Sequence, residues 1–128
     1  MDPEANKAFI TRYMDTLRRD TSQETLDRFI ADEELKRHIA MYEASFPGYW
    51  IEADDLIAEG DKVVLRGKVR GVHKGALMDI PPTGREISLP LFIIYRLAGG
   101  KIVQHWMVVD TLELLRQLGR APGVPTAA

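Results

Sequence analysis

Four polar side chains stand in stretches that are otherwise apolar: His38, His73, His105 and Asp110. Imidazole and carboxylate exchange protons near neutrality once their surroundings shift them, so this set points to general acid–base chemistry. Asp110 follows the alternating segment 102–109 and lies in phase with Gln104, Trp106 and Val108. A carboxylate beside an indole in a dry pocket has its charged form disfavoured, which suits it to exchanging protons with carbon acids. The same residue opens Asp110-Thr111-Leu112-Glu113, an Asp-x-x-Glu helix start, and capping is the commoner work for Asp at a strand-to-helix junction. Both roles stay open. His105 has the opposite parity, with Val103, Met107 and Val109, and either lines a pocket or bonds to backbone. His38 lies three residues after Leu35 and four before Tyr42, on the inward side of a helix, and His73 ends the covered face of a strand. A lone histidine among apolar neighbours is more often structural than a ligand or base. The three histidines stand 35 and 32 residues apart, spacings with no metal-site signature, and no metal ion is expected.

Other chemistries lack their residues. There is no cysteine, which removes disulfides, thiolate nucleophiles and Cys-ligated metals together. His-Glu-x-x-His, Gly-x-Ser-x-Gly and Gly-x-Gly-x-x-Gly are absent. Seventeen basic residues against 19 acidic ones give a net charge of −2 with no basic run, so no nucleic-acid partner is expected. The longest uncharged stretch, 87–95, falls far short of the ~20 apolar residues of a membrane helix. Met1-Asp2-Pro3-Glu4 does not begin a signal peptide, so a cytoplasmic protein is expected.

The elements that must position these residues follow from periodicity. Asp2-Pro3-Glu4 starts a helix whose apolar stripe is Phe9, Tyr13 and Leu17, flanked by Ile10 and Met14, and Asp20-Thr21-Ser22 ends it. A second helical segment runs over about 22–30, and Asp32 caps a third with Leu35, Ile39, Tyr42 and Phe46 on one face until Pro47-Gly48. Beyond Tyr49 the period changes to two. Strands 50–58 and 62–73 form a hairpin about Glu59-Gly60-Asp61, and strands 86–97 and 101–109 form a second about Ala98-Gly99-Gly100, with loop 75–85 between. In strand 62–73 the face of Val63, Leu65, Gly67, Val69, Gly71 and His73 must be the covered one, while Arg66, Lys68 and Arg70 form a basic row that is solvated or salt-bridged. Strand 86–97 is apolar on both faces, Phe92 and Ile94 opposing Ile87, Leu89, Leu91, Ile93 and Tyr95, which calls for a partner surface and a homodimer or higher oligomer. Pro90 inside it predicts an edge or a bulge. A short helix 111–118 ends at Gly119.

Helices first and antiparallel strands after predict one α+β domain over 1–119, with helices packed on one curved sheet, and a flexible tail over 120–128. Tyr13, Tyr42, Phe46, Trp50, Phe92 and Trp106 are expected to pack a core that in such cones also walls a cavity, with Met14, Met41, Met78 and Met107 making the wall adaptable. A bulky apolar ligand is what such a wall suits.

Residues 46–119 resemble the SnoaL-like polyketide cyclases, also called ester cyclases, of the nuclear transport factor 2-like superfamily. The carriers are Ser45-Phe46-Pro47, Asp55-Leu56-Ile57-Ala58-Glu59-Gly60-Asp61-Lys62-Val63-Val64, Gly71-Val72-His73-Lys74-Gly75, Ile80-Pro81-Pro82-Thr83-Gly84, Gly100-Lys101-Ile102-Val103-Gln104-His105-Trp106, then Asp110 and Leu114-Leu115-Arg116-Gln117-Leu118-Gly119. The resemblance implies a conical NTF2-like (cystatin-like) α+β barrel, a closed apolar pocket for a small apolar carbonyl-type ligand, cofactor-free chemistry and a homo-oligomer. In the characterised cyclases an Asp is the acid/base for intramolecular aldol closure of a polyketide ester, and His-Trp-x-x-x-Asp sets Asp110 at that position. Asp110 and His105 are then the expected catalytic pair, with Gln104, His105 or His38 polarising the carbonyl. Substrate contacts are expected from Tyr13, His38, Tyr42, Phe46, His73, Phe92, Gln104 and Trp106. The alternatives are a non-catalytic ligand-binding or dimeric scaffold of the same fold, or an isomerase or epoxide hydrolase.

Overall fold

The computed structural model describes residues 2–120, so the tail expected over 120–128 lies, from residue 121 on, outside the described residues. Helix α1 (Pro3–Leu17) begins where Asp2 accepts the Glu4 N–H, α2 (Gln23–Phe29) where Ser22 accepts from Thr25, and α3 (Glu33–Ser45) where Asp32 accepts from Glu34 and Leu35. Each cap satisfies N–H groups that the first turn leaves without carbonyl partners. Four strands follow, β1 (Trp50–Glu59), β2 (Lys62–Val72), β3 (Glu86–Ala98) and β4 (Lys101–Val109), and helix α4 (Thr111–Gln117) closes the described fold. The sheet is antiparallel in the order β1-β2-β3-β4, with α1 against β1 and β2, α2 against β4 and α4 against β3. Among the described residues no helix is long and apolar enough to cross a membrane.

Alternation sorts the strands into an inner and an outer face. Val63, Leu65 and Val69 of β2, and Ile87, Leu89, Leu91, Ile93, Tyr95 and Leu97 of β3, are buried against Ile10, Tyr13, Leu26, Leu35, Ile39 and Phe46 of the helical layer. Two irregularities adjust the pattern. In β1 the register shifts between Ala53 and Asp55, opposite Gly67, where a Cβ would stand 2.0 Å from the Glu52 carbonyl oxygen. In β4 the register passes from Arg96↔Gln104 to Leu97↔Ile102, leaving Val103 as the extra residue. That bulge lets both Ile102 and His105 face inward although they stand an odd three positions apart.

Pro90 lies in a strand with neighbours on both sides, yet its position is locally an edge. It pairs with Lys68 of β2 in unbroken register, while β4 has already ended at the pair Leu91↔Val109. Ser88, two residues earlier and of the same parity, donates its N–H to Gln117 Oε1 of α4 at 2.9 Å. The N–H that proline lacks would have pointed to that side, where no strand waits for it.

The outer face divides into two halves. Over β1 and β2 it is an ion-pair ladder, Arg66 on Asp55, Lys68 on Asp54 and Arg70 on Glu52. Over β3 and β4 it is apolar, with Phe92 52%, Trp106 43% and Val108 72% exposed. The second face of β3 therefore has no cover among the described residues.

Candidate functional site

Between the helical layer and the sheet lies a cavity of about 60 Å³, walled by α1, α3 and the inner face of the sheet. Its lining is apolar, from Met14, Leu17, Leu35, Ile39, Ile51, Val69, Leu91, Ile93 and Met107, except for a small polar set. All four tyrosines of the chain, Tyr13, Tyr42, Tyr49 and Tyr95, belong to that set. Tyr13 and Tyr95 meet edge to face at 5.8 Å, and Tyr42 lies 5.6 Å from Tyr49. Burial raises the pKa of all four; for Tyr13 the nearby Tyr95, Tyr49 and Asp32 raise it further. All four phenols therefore stay protonated near neutrality, as hydrogen-bond donors.

His38 adds an imidazole to the wall. Its Nδ1 is buried without a hydrogen-bond partner among the described residues, and its Nε2 lies 3.9 Å from Glu34 Oε1, one helical turn away. Its ring meets that of His105 edge-on at 5.5 Å. His105 Nδ1–H donates to Asp32 Oδ2 at 2.7 Å, with only 4% of the histidine side chain and 13% of the aspartate side chain exposed.

Local structure explains why these two residues meet. Ile30 forms a parallel bridge with Ile102, and the Ile102 carbonyl accepts the N–H groups of Ala31 and Asp32 at 2.8 and 3.2 Å. The start of α3 is thereby laid on β4, and the bulge at Val103 turns His105 inward to face it. Asp32 uses Oδ1 to cap α3 and Oδ2 to hold the imidazole. Burial alone would raise the Asp32 carboxyl, but the His105 hydrogen bond and the N–H groups of Leu35 and Glu34 outweigh it, and its pKa lies below the ordinary carboxylate value. An ionised Asp32 keeps the proton on His105 Nδ1 and leaves Nε2 with the lone pair, the orientation a general base requires.

His38 and Met107 also line an open groove beside the cone, together with Asp32, Glu34, Gln104, His105, Trp106 and Val108. They form the threshold between cavity and groove, with His105 beside them.

The residues expected to meet substrate are distributed over three places. Tyr13, His38 and Tyr42 line the cavity. Phe46 and His73 lie in the core beyond its lining, packed on each other at 5.4 Å. His73 Nδ1 accepts the Thr83 N–H at 3.1 Å and lies 2.9 Å from its hydroxyl, so this histidine fastens the loop before β3. Phe92, Gln104 and Trp106 stand on the outer face, because their parity in β3 and β4 opposes that of Tyr95 and His105. Asp110 shares that parity. It is exposed, its Oδ1 accepts the Glu113 N–H at 3.0 Å as the cap of α4, and it is not among the cavity-lining residues. Among the described residues nothing closes a dry pocket around it beside the Trp106 indole, which is itself 43% exposed. Sequence reasoning expected Trp50 in the cavity wall, where it lies, and passed over Tyr49, Tyr95 and Arg18 as site residues and the second role of Asp32. No grouping of three or more His, Asp or Glu arranged for a metal ion occurs among the described residues.

Residues 4–118 match the family described as SnoaL-like polyketide cyclase. Among solved structures, AclR of Streptomyces galilaeus, a proposed hydroxylase, is 26% identical with a TM-score of 0.82, covering 98% of this chain and 87% of its own. TsrD of Streptomyces laurentii is 26% identical with a TM-score of 0.79, covering 93% and 98%. IdmH of Streptomyces antibioticus, a proposed polyketide cyclase, is 25% identical with a TM-score of 0.70, covering 93% and 99%. No curated protein sequence matches the chain.

Proposed function

Because this chain belongs to the SnoaL-like polyketide cyclase family, we propose that its cone binds a small apolar polycarbonyl compound and closes a ring in it by an intramolecular aldol-type reaction without a cofactor. The observation that carries this reading is the Asp32–His105 pair, which lines the groove beside the apolar, phenol-lined cavity and meets the cavity-lining His38 edge-on. His105 Nε2 removes the proton from the carbon between two carbonyls, and the imidazolium so formed is stabilised by the Asp32 carboxylate. The enolate carbon attacks a second carbonyl of the same molecule, and the new alkoxide recovers the proton from His105. His38 and the cavity phenols donate hydrogen bonds to the enolate oxygen. Confinement of a flexible chain supplies the proximity that ring closure needs.

In this reading Asp110 keeps the work of a helix cap and the base is His105. The experiment is turnover of linear poly-β-keto esters, followed by absorbance of the cyclised product. His105→Gln lowers the rate by about 10²–10⁴-fold, the usual share of a positioned base, and unchanged turnover would contradict the assignment. The apolar half of the outer face, Phe92, Trp106 and Val108, joins two copies into a homodimer, since an exposed patch of this kind marks a contact surface. A second reading, a ligand-binding protein without turnover, draws support from the cavity volume of about 60 Å³. That space seats a fragment, well below the roughly 300–1,000 Å³ of common ligand pockets.

A further inference from the structure

The cavity lining contains one permanent cation, Arg18, at the C-terminus of α1. Its guanidinium carbon sits 5.1 Å from the centroid of the Trp50 ring, and both residues line the cavity. Among the described residues no carboxylate ion-pairs with it, whereas Arg66, Arg70 and Arg116 each hold one. An indole face attracts the charge and restrains the side chain, but it accepts none of the guanidinium N–H donors in the manner of an oxygen. Arg18 is exposed at the rim of the cavity, a cation held by the ring whose hydrated N–H donors can exchange water for a ligand's oxygens.

The rest of the lining cannot substitute for it. The four phenols are donors held neutral by burial, and the remaining side chains are apolar apart from His38. Such a wall donates hydrogen bonds to ketone and enolate oxygens but supplies no full counter-charge for a permanently ionised group. A ligand carrying one negative charge has a single place for it, beside Arg18. The fork geometry of guanidinium matches a carboxylate in two parallel hydrogen bonds. One positive charge also balances one carboxylate, whereas a phosphate dianion would remain half uncompensated.

We propose that Arg18, held on Trp50, is a specificity-determining residue that makes the cavity select oxo acids carrying a free carboxylate over their neutral esters. The carboxylate stays with Arg18 and the ketone end enters among the phenols and His38. This inference rests on reading the cavity as the ligand site.

The test is titration calorimetry of the full chain with 3-benzoylpropionic acid and with its methyl ester, at pH 7 and low salt. Wild type binds the acid about tenfold more tightly than the ester, the size of one charge-assisted contact. Arg18→Gln removes that preference and leaves ester affinity within about twofold, and Arg18→Lys restores part of it, because a point charge lacks the fork. Equal affinities in wild type, or an Arg18→Gln variant that weakens both compounds alike, would overturn the role of Arg18 while leaving the cavity as the binding site. Saturable binding of neither compound would overturn both readings.

Discussion

Asp32 and Asp110 do the same local work in different surroundings. Each stands before a helix, each uses one carboxylate oxygen to accept first-turn N–H groups, and each sequence context reads as a cap. Asp110 stops there, exposed to solvent. The second oxygen of Asp32 holds a buried histidine at the edge of an apolar cavity. A cap is thus no evidence against a second role, and burial of the unused oxygen is what separates the two aspartates. The site is built where a helix start is pinned to the sheet, at the Ile30–Ile102 bridge.

The comparison is sharpened first by turnover, where His105→Gln is the largest effect foreseen. A partner copy is the next way to break it, since a partner covering the outer face would change the surroundings of Asp110. Trp106→Arg puts a charge into that face, and sedimentation should show a dimer dissociation constant raised by about 100-fold or more, as loss of a central aromatic anchor does. Ring closure per chain should persist in this variant. Loss of turnover with dissociation would return Asp110 to consideration.

Stability separates the pair more modestly. Asp110→Ala should cost about 1 kcal/mol, the ordinary value of a helix cap. Asp32→Ala should cost about 2–3 kcal/mol, because it removes a cap and also leaves a buried imidazole N–H without its acceptor. Urea unfolding of both variants measures the difference, and equal losses would mean that the hydrogen bond to His105 contributes little.

The smallest effect is in acid. The folded-state pKa of Asp32 is depressed, so its contribution is complete above the ordinary carboxylate value and is lost as pH falls through the folded value. Asp20, taken down to about 2 by hydrogen bonds from Thr25 and Ser22, acts in the same direction. Wild type should therefore lose stability from about pH 4 downward. Asp32→Asn should show a shallower fall over that range in urea midpoints, and identical slopes would remove Asp32 from the acid response.

Much of this was legible from residue types alone. Period-two alternation sets His105 and Trp106 on opposite faces of their strand, and the apolar run of β3 announces an uncovered face. The helix caps at Asp2, Asp32 and Asp110 were readable from composition at the turns. Pairing of Asp32 with His105 was not, because 73 residues separate them and their approach depends on a bridge and a one-residue bulge at Val103. Phe92 and Trp106 looked like pocket residues because an aromatic type does not say which side of a sheet it occupies. Arg18 joins the cavity through the way α1 packs on β1, a tertiary fact with no local pattern.

The most direct measurement compares ring-closure rates of Asp32→Asn and Asp110→Asn side by side. Asparagine caps helices as well as aspartate does, so both variants keep their caps and differ only in the charge removed. Asp32→Asn should lose about 10²-fold or more, since the histidine is deprived of the carboxylate that sets its tautomer and stabilises its cation. Asp110→Asn should stay within about twofold, as a cap-preserving surface change does. The reverse result, with turnover lost at Asp110 and kept at Asp32, would contradict the assignment of the base to His105.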